Sequence, residues 1–231
     1  MINIIPSEKR YHADLGWLDT RWHFSFGDYH DPKNISFSKL RVFNDDIIQG
    51  AGGFDMHPHR DMEIITYMID GQLRHQDSLG NGDVLRPGEV QVMSAGKGIL
   101  HAEFNDSQTT PLRLLQMWIE PRNRGSKPRW AQHRFTADAQ RDKLFPLVSS
   151  GNISGTLEID QDAIIYVSTL SAGKNLSHSA PNRRAYLFAI SGELTVNDRI
   201  LRAGDQARIE NETTLTIMAQ KDSQLILLDL P

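Results

Sequence analysis

The chain contains no cysteine. Disulfides, thiolate-bound zinc, iron–sulfur clusters, thiol catalysis and thiol redox switching are therefore excluded. Any metal site must be built from His, Asp and Glu, and a reducing cytoplasm is the expected compartment. No apolar run approaches the roughly 20 residues that span a bilayer. The start, MINIIPSEKRYHADLG, lacks the basic-then-apolar order of a secretory signal, so no membrane association is expected. Neither charge is in large excess: 25 basic against 29 acidic residues leave a net charge of −4. That balance gives no general pull toward nucleic acid, and no recognition-helix motif is visible, so direct nucleic-acid binding is not expected. Helical signals are also scarce. The one short candidate is Thr136–Leu144, TADAQRDKL, with Thr136 as its cap.

What is present is β texture. The 231 residues, 39% hydrophobic and 23% charged, suffice for one large or two small globular domains. Short β-branched and apolar segments recur: Ile64–Ile69, Val84–Val92 with a turn at Pro87-Gly88, Leu112–Ile119, Ala163–Leu170, Ala185–Ile190, Thr213–Met218 and Leu225–Leu230. Gly, Asn and Pro clusters separate them, which predicts an all-β sandwich or barrel. The segment Pro121–Arg134, PRNRGSKPRWAQHR, holds two Pro, one Gly and five Lys or Arg without an acid. It reads as a solvated crossover and divides the chain into residues 1–121 and 122–231. The halves share a faint repeat. IDGQL at Ile69–Leu73 is followed by Gly82-Asp83, and ISGEL at Ile190–Leu194 by Gly204-Asp205. His57 lies fourteen residues before Gly71, and His178 fourteen before Gly192.

The sharpest feature is His57-Pro58-His59. On an extended chain, side chains two apart share a face, so both imidazoles project together. His101-Ala102-Glu103 has the same spacing. Three imidazoles and one carboxylate from two neighbouring strands make a compact mononuclear site for Fe(II), Mn, Ni, Cu, Co or Zn rather than Ca or Mg. Four ligands leave a coordination position open, as a catalytic metal requires. The setting adds weight: Gly50, Gly52 and Gly53 before the His pair, Glu63 after it, then Gly71 and the Gly82–Gly88 turn before the third His. This order resembles the two signature motifs of the cupin superfamily.

Longer segments, His23–Phe26, Leu40–Asp46, His57–Glu63, His75–Ser78 and Met93–Glu103, resemble the pirin family; the C-terminal half has only general cupin texture. The resemblance implies a bicupin, two face-to-face β-barrels of jelly-roll type, with one metal in the N-terminal barrel and a degenerate C-terminal barrel. It implies His57, His59, His101 and Glu103 as ligands. In most cupins the carboxylate ligand falls at Glu63; in pirins it falls at Glu103, which is the expectation here. Glu63 then either orients a ligand His or simply hydrogen-bonds on its strand. His75 is read as a surface or supporting residue, His23 as packed, Gln116 and Trp118 as sharing a strand face, and His178 as a vestige of the repeat. Some bacterial pirins are similar to quercetin 2,3-dioxygenases. The resemblance thus implies an enzyme that cleaves a flavonol with dioxygen and releases carbon monoxide; dioxygen chemistry makes Fe(II) the expected metal, and Glu103 is the expected catalytic base for the flavonol hydroxyl. The alternatives are a metal-binding regulator acting through a protein partner, and a cupin enzyme with another small substrate.

Overall fold

A computed structural model describes residues 1–231, and its strands fall into two compact units. One comprises Tyr11–Arg134 with Leu157–Gln161; the other comprises Met1–Arg10, Phe135–Thr156 and Asp162–Pro231. The sequence reading divides the chain at 121/122. By contacts, the strand Arg129–Arg134 lies with the first unit, antiparallel to Glu89–Ser94. The first strand of the chain, Ile2–Ile5, pairs with Gln206–Ile209 in the second unit.

Each unit contains a large sheet and a four-stranded one. In the first unit the large sheet runs Arg129–Arg134, Glu89–Ser94, Glu63–Asp70, Leu112–Ile119, Leu40–Ile48, Leu18–Trp22, Tyr11–Asp14. The small sheet runs Gly53–His59, Ile99–Asn105, Leu73–Asp77, Gly82–Leu85. No ladder joins the two sheets, so each unit is a jelly-roll-like sandwich, the jelly-roll type expected, with its two sheets not closed into one barrel. The all-β prediction holds. The short helix is Ala137–Gln140, with the Thr136 side chain accepting from the Ala139 amide.

Local sequence explains the layers. The mainly apolar segments Glu63–Asp70 and Glu89–Ser94 are central strands buried on both faces. Leu73–Asp77 instead alternates, with Leu73, His75 and Asp77 buried and Arg74 and Gln76 exposed. Gly53 must be glycine for its strand to lie on Ile99–Asn105, since a Cβ there would sit 2.5 Å from the Glu103 carbonyl oxygen. Gly71 and Gly192, the paired landmarks of the repeat, both take left-handed φ, 76° and 81°. His57 and His178 fall on corresponding strands, Gly53–His59 and Asn175–Ser179, of the two small sheets.

The inner face of the first unit's large sheet is ordered in rows. Register aligns Gln91, Thr66, Gln116 and Asn44 across four neighbouring strands. Two residues to one side lies an apolar row containing Met93, Ile64 and Trp118; two residues to the other lie Met68, Leu114 and Asp46. A polar stripe therefore splits the core in two, with Leu18, Met68 and Leu114 in one cluster and Ile64, Met93 and Ile99 in the other. Buried polar groups are costly unless they are bonded. The stripe therefore marks where the fold gives up packing for chemistry.

Candidate metal centre

The small sheet supplies the candidate ligands. His101 pairs with His57 in register and Ile99 with His59. The register then shifts between His101 and Glu103, so that Glu103 faces Phe54. Such a bulge twists a strand and re-aims its side chains. The imidazoles of His57, His59 and His101 converge, with ring centroids 4.4–4.8 Å apart. Their ligand atoms all lie within 4.8 Å of one another. The Nδ1–H of His57 donates to the Asp55 carbonyl at 2.7 Å, leaving Nε2 to point its lone pair elsewhere. The Nε2 of His101 is buried and has no hydrogen-bond partner in the chain. Burial pushes His59 and His101 down to about 3; repulsion from His101 and His57 adds to the shift at His59, and repulsion from His57 and His75 adds to it at His101. Both are thus neutral near pH 7, with lone pairs free for an ion. A buried orphan nitrogen within three converging neutral imidazoles fits a divalent transition metal.

Glu103 is fully enclosed beside this cluster and groups within the same 4.8 Å with His75 and His101. Its two oxygens accept from Gln91 Nε2 at 2.9 Å and Gln116 Nε2 at 2.8 Å. Each glutamine is itself oriented by an indole. Trp130 Nε1 donates to Gln91 Oε1 at 3.1 Å, and Trp118 Nε1 donates to Gln116 Oε1 at 3.2 Å. Burial raises the Glu103 carboxyl; His75, Gln116, His57 and Gln91 pull it partly back. The polar stripe of the large sheet thus faces the small sheet and holds the Glu103 carboxylate at both oxygens.

The other candidates have simpler places. His75 is buried, stacked on Trp130 at 5.4 Å, with Nδ1 3.5 Å from the Nδ1 of His101, so it is not a surface residue. Glu63 accepts from Ser94 Oγ at 2.6 Å, and Arg129 Nε donates to the same hydroxyl at 2.9 Å. Of the two readings of Glu63, the bonded strand residue describes these contacts. His23 packs on Phe43 at 4.6 Å. His178 bonds Asp229 at 3.0 Å, and Asp229 is also paired with Arg183. Gln116 and Trp118 do share a face, and both line a cavity of about 330 Å³ that also reaches His57, His59 and Glu103. Its walls include Trp22, Phe26 and Phe54. Sequence reasoning missed Gln91, Trp130, Asn44 and Asp46. The available signal was a polar residue at an inward phase of an apolar strand, as in Val90-Gln91-Val92.

The His101 shift predicts an acid-side instability. In the folded, metal-free protein His101 stays neutral down to about 3, whereas the unfolded chain protonates it near 6.5. The unfolded state therefore binds the extra proton, and wild-type stability falls as pH drops through that window, by up to ~1.4 kcal/mol per pH unit. Glu103 and Asp46, raised by burial, contribute with the opposite sign, so the comparison is made against His101→Gln, which keeps both acids. Urea midpoints in chelator at pH 7.5 and 4.5 should show the variant gaining on wild type at the lower pH. A constant difference would refute the depressed His101.

Comparison with known proteins agrees with this architecture. Residues 6–119 match the Pirin family model, and residues 147–230 match the quercetinase C-terminal cupin domain, so the two units are a bicupin pair. Quercetin 2,3-dioxygenase of Escherichia coli K12 is 42% identical over 233 residues, covering 100% of this chain and 99% of the relative. A pirin-like protein of Caulobacter vibrioides is 43% identical, covering 99% of each. The crystal structure of the bacterial pirin YhhW from Escherichia coli in complex with nickel(II) superposes with a TM-score of 0.95 at 40% identity. The match covers 100% of this chain and 99% of that one.

Proposed function

The chain belongs to the pirin family, and from that premise we propose that it is a metal-dependent flavonol dioxygenase of the quercetin 2,3-dioxygenase type. The observation that carries the reading is the shared cavity. His57, His59 and Glu103 open onto the same space as the rings of Trp22, Phe54 and Trp118. A cluster able to hold a metal is thus joined to a slot suited to a planar aromatic substrate. The relatives named as quercetin 2,3-dioxygenases support the choice of substrate.

We assign His57, His59, His101 and Glu103 as the metal ligands. When bound, a divalent transition ion would supply a Lewis-acidic centre compatible with dioxygen chemistry, and Fe(II) is the ion we assign. The chain's own residues do the rest. The aromatic walls hold the flavonol rings and keep bulk water from them. Each Glu103 oxygen spends one lone pair on a glutamine N–H and keeps another. Glu103 can therefore take the proton of the flavonol 3-hydroxyl, leaving an electron-rich flavonolate. Gln91 and Gln116 fix the carboxylate that receives it. Both oxygens of dioxygen enter the product, a depside ester, as one ring carbon leaves as carbon monoxide.

The test is to load metal-free protein with Fe(II), add quercetin and oxygen, and measure flavonol loss together with carbon monoxide. Stoichiometric carbon monoxide is expected. Flavonol loss without carbon monoxide, or no loss at full metal occupancy, overturns the assignment and favours a regulator or another cupin reaction.

A further inference from the structure

The polar stripe ends in a group that nothing in the chain satisfies. Gln91 and Gln116 bond to Glu103, but Asn44, directly opposite Gln116, has a buried Oδ1 with no hydrogen-bond partner. Asn44 is 4% exposed and lines the cavity. Two residues on, Asp46 lines the same cavity at 3% exposure. Its Oδ1 accepts from the hydroxyl of Thr20, the residue opposite it on the neighbouring strand. Asp45, between them, points to the other face and is held there by a bidentate pair with Arg113 at 2.8 and 3.0 Å. The strand thus sends its neutralised carboxylate away from the cavity and keeps two oxygen acceptors facing in. An acceptor nine-tenths buried and unpaired costs stability, and such a cost persists where a ligand repays it.

We propose that Asn44 and Asp46 form a second-hydroxyl subsite. A polyhydroxylated aromatic ligand presents one hydroxyl to the His57, His59 and Glu103 side of the cavity. It donates another O–H to Asn44 Oδ1 and Asp46. The pair selects for ring hydroxylation beyond the one hydroxyl that the reaction needs. The inference rests on the reading of this cavity as the site of a hydroxylated aromatic. The acceptors are oxygens, so a ring bearing only ethers, or one hydroxyl, leaves Asn44 unpaired, and sites built to receive an O–H discriminate strongly against its absence.

Binding is measured directly, by quenching of tryptophan fluorescence in metal-loaded, anaerobic protein, so that no turnover is required. The probes are quercetin against 3-hydroxyflavone, and catechol against phenol. Wild type should bind the more hydroxylated member of each pair about tenfold more tightly, the effect of one hydrogen bond of ordinary strength. Asn44→Leu, of similar shape, should erase that preference and leave 3-hydroxyflavone and phenol unchanged. Asp46→Asn keeps an acceptor for Thr20; it should reduce the preference several-fold, and it carries the test if the leucine variant does not fold. If both members of a pair weaken together, or if the preference survives in the variants, the subsite is wrong while flavonol turnover can still stand. If flavonols fail to bind but the catechol preference depends on Asn44, the subsite stands and the flavonol reading falls. Wild type that binds none of the probes overturns the subsite.

Discussion

Replacing His101 with alanine is expected to strip the protein of metal and abolish flavonol turnover while the fold survives. His101 is the hub of the cluster. Its ring lies 4.4 Å from that of His57, 4.8 Å from His59 and 5.3 Å from His75. Loss of a residue that merely supports a ligand costs roughly 10–100-fold in metal affinity. Loss of the central donor should exceed that, and metal analysis after dialysis should fall from about one ion per chain to a trace. In the metal-free fold its buried Nε2 is orphaned, a cost that truncation removes and that offsets the packing lost with the ring. The metal-free melting temperatures of variant and wild type should therefore lie close together. Saturating metal separates them. An ion at a hundred times its dissociation constant adds about 2.7 kcal/mol to wild type. At roughly 2–4 °C per kcal/mol for a chain of this size, that is a rise of about 5–10 °C, absent from the variant. A variant that keeps its metal and its melting shift would remove His101 from the ligand set.

That experiment probes the part of the site that could be read along the chain. His57 with His59, and His101 with Glu103, are each two residues apart on a strand, so backbone geometry alone puts each pair on one face. Leu112–Ile119 was equally plain, an apolar segment stopped by Glu120-Pro121. Other features depend on register, which no single segment encodes. Gln91, Thr66, Gln116 and Asn44 become one row only when four strands far apart in sequence are aligned. Each is visible beforehand only as a polar residue inside an apolar run. The bulge that sets Glu103 opposite Phe54 puts its extra residue on the facing strand, where three steps from Phe54 to His57 oppose two from Glu103 to His101, and neither Asp55 nor Met56 is a glycine or proline that would announce it. Arg129–Arg134, RWAQHR, sits at the sheet edge with no fully buried residue, so its charges looked like those of a solvated crossover. Yet that strand brings Trp130, which orients Gln91 and stacks on His75.

Glu103→Gln should be the most informative substitution, because it separates holding from proton transfer. A carboxamide has nearly the shape of the carboxylate but cannot take up a proton at neutral pH. If Glu103 is the base, kcat should fall by roughly 10²–10⁴, the usual contribution of a positioned base. The surroundings add a second effect. Gln91 and Gln116 both point N–H groups at residue 103, and the tryptophan bonds to their oxygens hold them in that sense. A glutamine at 103 offers one oxygen and one NH₂, so one of the two donors must face another donor or turn and release its indole. That leaves at least one buried donor unpaired, at about 1–3 kcal/mol, or a melting temperature lower by several degrees. A double variant distinguishes the two effects. Gln91→Glu in the Glu103→Gln background restores a donor–acceptor match, with the carboxylate now at 91. Stability should recover there, since Trp130 still has an oxygen to donate to, but turnover should not, because the acid is displaced from the cavity wall lined by Glu103. Recovery of turnover together with stability would make Glu103 a structural anchor and assign the proton to another acceptor. A fall in kcat that persists after stability returns, with metal analysis showing full occupancy, would leave the Glu103 carboxylate as the group that takes the substrate's proton.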